Sequence, residues 1–404
     1  MPRLYLDNAA TSFPKPPGVY EAMLRYGKEV GGTAGRGMYF EAREGGRLIR
    51  QCRDRINTLI NGEDPDHIIF TLNTTDALNL AIKGIVRHRL LTAPGKPIHI
   101  VATEMEHNSV LRPLNALAEE TRGQVSWTCV EADPQTGRFT AEAVLAAITP
   151  DTALVAILHA SNVTGAIQPA AEIGAACRAR NIPVLLDAAQ SVGHIPFDAQ
   201  QLQADLIALP GHKGLLGPLG TGALYIRPGI EKFLRPQREG GTGSSSESEH
   251  QPQTLPDKYE PGSQNAIGIV GLSEAVKWLN TRGPETMANH EHELCQAMLE
   301  GLEEIGALNG RGGLKLPGPH TATNRINVFS MTHESLSAQE IAAIMEQKYG
   351  ILGRAGLACA PRAHKLLGTT SGAYRLSTGP FNTLEDIHYA CRSLGELCES
   401  MTAR

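Results

Sequence analysis

Between residues 67 and 226 the chain alternates short, almost unbroken apolar runs with helical stretches. The runs are HIIFT, PIHIVATEMEHN, QVSWTCVEA, ALVAILHASN, IPVLLDAAQS, DLIALP and TGALYIR. A strand buried on both faces shows no apolar–polar alternation, and parallel neighbours need a covering crossover, so the pattern confines the chain to an α/β fold built on a large, doubly wound, mostly parallel sheet. Ligands of such sheets bind beyond the carboxyl ends of the strands. Polar residues appear where successive runs stop: Thr74 and Thr75, Glu106 to Asn108, His159 to Asn162, Asp187 to Gln190, and His212 with Lys213. Five such strand ends point to a single site.

Residues 240 to 265 are rich in Gly, Ser and Pro and are expected to form a long exposed loop. Beyond it, helical stretches near 266 to 281, 285 to 305 and 337 to 348 and a final helix from about 383 enclose two strand-like runs, NRINVFSM and AYRLST. This predicts a smaller α+β domain. The expected division is a large cofactor-binding domain over 15–260 and a small domain made of 1–14 and 261–404.

With 37 basic and 42 acidic residues the net charge is only -5, which gives no electrostatic reason to expect nucleic acid or an anionic membrane as partner. The start, MPRLYLDNAATS, carries an acid at Asp7 and no apolar core, so neither a signal peptide nor a membrane span is expected and the location is read as cytoplasmic. Seven cysteines, odd in number and without a CxxC pair, argue against a zinc site and a disulfide framework, and no metal is expected.

In GHKGLLGPLGTGALYI a single lysine, Lys213, stands among glycines. A Walker loop needs Ser or Thr after its lysine and a helix beyond, whereas Gly214, Gly217, Pro218, Gly220 and Gly222 follow here. A lysine at a strand end is ordinarily a solvated cation. Packed into a glycine-lined pocket, its amine becomes easier to deprotonate, and a neutral amine forms a Schiff base. Pyridoxal 5'-phosphate chemistry needs that lysine and a carboxylate for the pyridine nitrogen. Asp187 closes the buried run VLLD; a helix cap would explain its residue type but not its apolar approach.

The segments LYLDNAATSFPKP, EHNSV, HASNVTGAIQP, LLDAAQSVGHIPFD, GHKGLLGPLGTGALYI and GRAGLACA resemble, in order and over almost the whole chain, the cysteine desulfurase and selenocysteine lyase family. That family lies within the class V aminotransferase group of fold-type I pyridoxal phosphate enzymes. The resemblance implies that Lys213 is the Schiff-base lysine, Asp187 the partner of the pyridine nitrogen, Gln190 the donor to the ring hydroxyl and His107 the ring stacked on the cofactor. Asn162 is implied near the substrate and ring oxygen. Thr75 and His212 are implied as phosphate ligands, with Ser263 arriving from the neighbouring subunit of a homodimer. Arg375 matches the residue that grips the substrate carboxylate, Arg354 and Arg36 are further substrate candidates, and Cys359 matches the nucleophile.

The implied activity converts L-cysteine to L-alanine and leaves sulfur on Cys359 as a persulfide for a thiol or protein acceptor. Selenocysteine lyase activity or another class V aminotransferase activity uses much the same residues, and a non-catalytic scaffold on this fold is a third reading. The sequence departs from the family at Pro210, where a phosphate-contacting serine is common. It departs again at Leu357-Ala358, which replace paired histidines, and at Gly35, where a histidine is often found. A mobile, electropositive loop is expected around Cys359, with Arg354 and Arg362 favouring its thiolate.

Overall fold

A computed structural model describes residues 3–34 and 37–402. Seven strands form its main sheet: β2 (Ile68–Thr71), β3 (Ile98–Thr103), β4 (Val125–Val130), β5 (Thr152–Leu158), β6 (Val184–Asp187), β7 (Leu206–Pro210) and β8 (Gly222–Ile226), in the spatial order β2-β8-β7-β6-β5-β3-β4. The pairs β4/β3, β3/β5, β5/β6 and β6/β7 are parallel, whereas β8 runs antiparallel to both its neighbours. The antiparallel strand follows from the connection. The turn between Pro210 and Gly222 holds Lys213 and has no room for a crossover helix, so β8 must double back beside β7.

Alternate residues of the central strands feed two cores. Val155, Ile157, Leu186 and Ile207 join one, and Leu154, Ala156, Leu185 and Ala208 join the other. Helices Thr74–Thr92 and Asn108–Glu120 cover the second face. The first is covered in part by Phe40–Leu59 and Ala266–Arg282, which pack on each other. Helix Ala266–Arg282 lies in the segment expected to belong to the small domain, yet its Ile269, Leu272 and Val276 enter the large core.

A second layer of strands comprises β9 (Leu314–Lys315), β10 (Val328–His333), β12 (Arg354–Gly356) and β13 (Ala373–Ser377), antiparallel in the order β12-β13-β10-β9. Two expected runs are thus joined by short partners. The N-terminal strand β1 (Leu4–Tyr5) pairs in parallel with β11 (Ile351–Leu352), and Leu6 enters the core of this unit.

The loop 240–265 is exposed over much of its first part and again at Gly262, Ser263 and Asn265. Between these Lys258, Tyr259 and Glu260 are buried, and Glu260 accepts a forked pair of hydrogen bonds from the buried Arg53 guanidinium, at 2.7 and 2.5 Å. Composition predicted the exposure of this loop. The anchor depends on a partner far away in sequence. Among the described residues no helix is long and apolar enough to cross a membrane, and no group of three or more His, Cys, Asp or Glu is arranged to hold a metal.

Candidate active site

Lys213 stands in the turn between β7 and β8, and the turn is held from both sides. A Cβ on Gly211 would lie 2.1 Å from Thr221 Oγ1, and one on Gly214 would lie 2.0 Å from the carbonyl oxygen of Val192, so neither position admits a side chain. The carbonyl of His212 receives four donors from the N-terminal segment. These are Ser12 N–H at 3.0 Å and Thr11 Oγ1, Ser12 Oγ and Lys15 Nζ, each at 3.1 Å. The turn carrying the lysine is therefore fixed by backbone contact and by a segment some two hundred residues away in sequence.

Around it the strand ends converge. Thr75, His107, Asn162, Asp187, Gln190, His212 and Lys213 line one cavity of about 90 Å³, together with Asn73, Thr74 and Ser109. Burial pulls the Lys213 amine down to about 8, with Asp187 opposing the shift. Burial also raises the Asp187 carboxyl, which keeps a hydrogen bond from Ala189 N–H at 2.9 Å and is 6% exposed. Low dielectric moves both groups towards neutrality. A bound cation would hold the aspartate ionised.

His107 caps helix Asn108–Glu120. Its Nδ1 accepts from Ser109 N–H at 3.0 Å, which leaves the ring proton on Nε2. Burial, helped by Lys213, pulls it down to about 4, so the ring is neutral at physiological pH. Ser109 Oγ in turn meets Thr75 Oγ1 at 2.7 Å, at the start of helix Thr74–Thr92. Helix N-termini of this length favour anions. His212 is also pulled to about 4 by burial, and its Nδ1 is buried without a partner. Gln190 lines the cavity while its amide donates to Ala9 O at 2.9 Å.

Asn162 and Asn108 hold the segment that bears Cys359. The Asn162 amide donates to Ala358 O at 2.6 Å, and Asn108 N–H donates to Cys359 O at 2.8 Å. Cys359 is exposed, whereas Cys52, Cys295 and Cys391 are buried and their thiols are pushed up to about 12. Arg362 corrects one expectation. Its guanidinium lies over the Trp127 ring, 5.0 Å from the centroid, and also bonds Cys129, so it faces β4.

Arg375 is 4% exposed and donates to Asn162 O and to Asp7 Oδ1, each at 3.1 Å; Arg354 pairs with Asp7 at 3.0 Å. Ser263 lies apart from this cavity, in a second one of about 540 Å³ lined also by Tyr26, Thr33, Thr242 and Gln264. Arg36 lies outside the described residues.

Sequence reasoning assigned no role to Asp7, Ser109, Lys15 or Glu106. Glu106 is 0% exposed, with Oε1 accepting from Thr103 Oγ1 at 2.7 Å and Leu158 N–H at 3.1 Å and Oε2 without a partner. Burial, with Asp187 nearby, pushes it up to about 8. All four residues stand inside the quoted motifs, which was the available signal.

The donor set fits pyridoxal phosphate. An amine poised near neutrality, a carboxylate at the floor, a helix N-terminus and an unpartnered imidazole nitrogen are the groups that cofactor requires. Fold and site together define a class V aminotransferase. The chain belongs to that family: its model, Aminotransferase class-V, matches residues 4–389. Class V enzymes generally depend on pyridoxal phosphate. Within the family, the chain is 32% identical to a probable cysteine desulfurase of Methanothermobacter thermautotrophicus over 98% of this chain and 94% of that one. It is 31% identical to a cysteine desulfurase of Yersinia pestis, covering 96% and 91%. An apo structure of the cysteine desulfurase from Thermococcus onnurineus NA1 superposes with a TM-score of 0.89 at 29% identity, covering 98% and 95%.

Proposed function

We propose that this protein is a pyridoxal phosphate-dependent cysteine desulfurase that converts L-cysteine to L-alanine and collects the sulfur on Cys359 as a persulfide. The observation that carries the reading is the placement of one exposed thiol, Cys359: Asn162, which lines the Lys213 cavity, donates to the adjoining Ala358 O at 2.6 Å, and its own carbonyl accepts from the buried Arg375 at 3.1 Å.

Lys213 would hold the cofactor covalently, Asp187 would keep the pyridine nitrogen protonated, and Thr75, His212 and the amides of helix Thr74–Thr92 would receive the phosphate. Pyridoxal phosphate supplies the electron sink that stabilises negative charge at the substrate Cα. Arg375 receives the α-carboxylate. With burial pulling its amine down to about 8, Lys213 has a far larger neutral fraction at physiological pH than an ordinary lysine, and that free amine takes the Cα proton. Cys359, as thiolate, attacks the substrate sulfur. A sulfur–sulfur bond forms, the Cβ–S bond breaks with its electron pair left on the carbon skeleton, and protonation there gives alanine. His107, neutral and fixed through Nδ1, would lie against the cofactor and keeps Nε2–H for proton traffic. The persulfide passes to a thiol or protein acceptor.

The proposal includes a cytoplasmic homodimer in which Ser263 completes the partner's phosphate site. Exposed apolar side chains, Tyr20, Leu24, Met38, Tyr39, Phe40 and Ile267, stand in or beside the segments lining the Ser263 cavity, and this favours burial against a second copy. It also includes two functional units: the large sheet with helix Ala266–Arg282, and a small unit formed by the first residues and the chain beyond that helix.

Purified protein given L-cysteine is expected to release alanine, and sulfide when reductant is present, with no keto acid. Keto acid as the main product would return the protein to the aminotransferases. Use of L-selenocysteine alone would make it a selenocysteine lyase.

A further inference from the structure

At the end of the main sheet opposite Lys213 lies a cavity of about 230 Å³ that the proposed chemistry does not use. One wall forms where strands begin, from Ala153 in β5, Pro183 before β6 and Asp205 before β7, with Arg227 just after the antiparallel β8. Asp187 closes β6 at its other end, about 10 Å along the strand from Val184. Arg89, Arg178 and Arg227 line the cavity against a single carboxylate, Asp205. That carboxylate is already satisfied, with Oδ2 accepting from Val184 N–H at 2.8 Å and Oδ1 from Arg227 Nε at 2.7 Å. Arg89 and Arg178 stand in the last turns of helices Thr74–Thr92 and Ala170–Arg178, where the helix dipole favours a cation. The dipole accounts for their charge but supplies no counterion. Among the described residues neither pairs with a carboxylate, and Arg178 Nε is buried without a partner. Glu231, the next carboxylate along, accepts from Gly229 N–H at 2.6 Å. His88 Nδ1 is also buried unpartnered, and burial, with Arg235, Arg89 and Lys258 nearby, pulls that ring below the usual histidine range and keeps it neutral. The rest of the lining is apolar: Ile85, Ile182, Ile230 and Phe233, whose ring is 52% exposed and meets His88 edge-on at 5.6 Å.

From this arrangement we propose that the cavity is a second binding site, for a small phosphate monoester with an apolar or aromatic body. Three guanidiniums against one carboxylate leave two positive charges, which a phosphate monoester, close to a dianion at neutral pH, balances. The planar forks of Arg89 and Arg178 suit its oxygens, and the isoleucines and Phe233 suit its body. Pockets that take drug-sized ligands run to about 300–1,000 Å³, so a cavity this small limits the body to about one ring. A carboxylate balances only one of the two charges, and free phosphate leaves the apolar wall uncovered. The site is separate from the Lys213 cavity and does not depend on the reaction proposed there.

The test is calorimetric titration of the protein, loaded with pyridoxal phosphate and freed of excess, with phenyl phosphate, inorganic phosphate and benzoate as probes at about pH 8. Phenyl phosphate is expected to saturate a single site per chain, about tenfold more tightly than either of the other two. Arg178→Met is expected to weaken it about tenfold, the size of a lost charge-assisted hydrogen bond. Should that variant not fold, the exposed Arg89→Met carries the same expectation. Phe233→Ser is expected to narrow the gap between phenyl phosphate and inorganic phosphate several-fold while sparing inorganic phosphate, which loss of structure alone would not do. No saturable binding of phenyl phosphate, equal affinity for the three probes, or an affinity unmoved by the arginine change overturns the proposal. Arg375→Gln is the control for binding beside Lys213. If it abolishes phenyl phosphate binding and Arg178→Met does not, the ligand sits in the Lys213 cavity and the second site falls.

Discussion

The floor of the cavity and the segment over it are built in opposite ways. On the floor, Lys213 sits in a turn that admits no side chain at Gly211 or Gly214 and whose carbonyl receives four donors. Over the cavity, Cys359 is exposed in a short connection between β12 and helix Pro361–Leu366, hung from Asn162 and Asn108. Ala358 and Cys359 both adopt left-handed φ, at 45° and 56°, where L-residues are strained. The floor is over-determined and the lid is lightly held. The contrast matches two tasks: cofactor groups need fixed geometry, whereas a thiol that collects sulfur and hands it on must leave its place.

Four changes test that contrast. The largest effect is expected for Lys213→Ala, which removes the proposed proton acceptor from the rigid side. Alanine formation is expected to fall by about 10³-fold or more, and borohydride is expected to leave no cofactor on the corresponding peptide in mass spectra. Retained covalent cofactor would move the attachment elsewhere. Cys359→Ser strikes the adaptable side. It is expected to keep the cofactor absorbance and lose alanine formation by about 10²-fold or more, with no persulfide mass. Alanine and sulfide at the wild-type rate would show that the exposed segment is not the nucleophile.

A third change sharpens the description of the floor. Glu106 has a folded value of about 8 against an ordinary 4.5, so between these values the folded protein keeps a proton that the unfolded chain releases. Its contribution is therefore fully present at acid pH and is lost as pH climbs to about 8. Glu106→Gln is expected to flatten that decline, with a melting temperature a few degrees above wild type at pH 8 relative to pH 5.5. Parallel curves for the two proteins would remove Glu106 from the account. The smallest effect is expected for Asn162→Ala, which cuts one of the two tethers. Alkylation of Cys359 is expected to quicken about fivefold, the size of one hydrogen bond. An unchanged rate would mean that the tether does not restrain the thiol.

The fold was legible because strands buried on both faces leave an apolar signature, and the cavity floor because strand ends carry its polar groups. Less was legible where a role depends on pairing across the chain. Asp7 meets Arg354 and Arg375 only once β1 has joined β11, and no local pattern in LYLDNAA encodes that. Glu106 reads as an ordinary turn acid until Leu158 and Thr103 enclose it. Arg362 was expected beside the thiol because of its position in sequence, but its place in the first turn of helix Pro361–Leu366 directs it to Trp127.

The pairing of β1 with β11, and of Asp7 with Arg375, carries a consequence for biosynthesis. Residues 4 to 7 lack their strand and ion-pair partners until the strands near residues 351 and 375 have emerged, and loops of that size close late. A nascent chain can assemble the large sheet and its lysine turn well before it can bind an amino acid. On the proposed roles of Arg375 and Cys359, an incomplete chain lacks both the carboxylate receptor and the thiol, so sulfur chemistry would begin only on finished molecules.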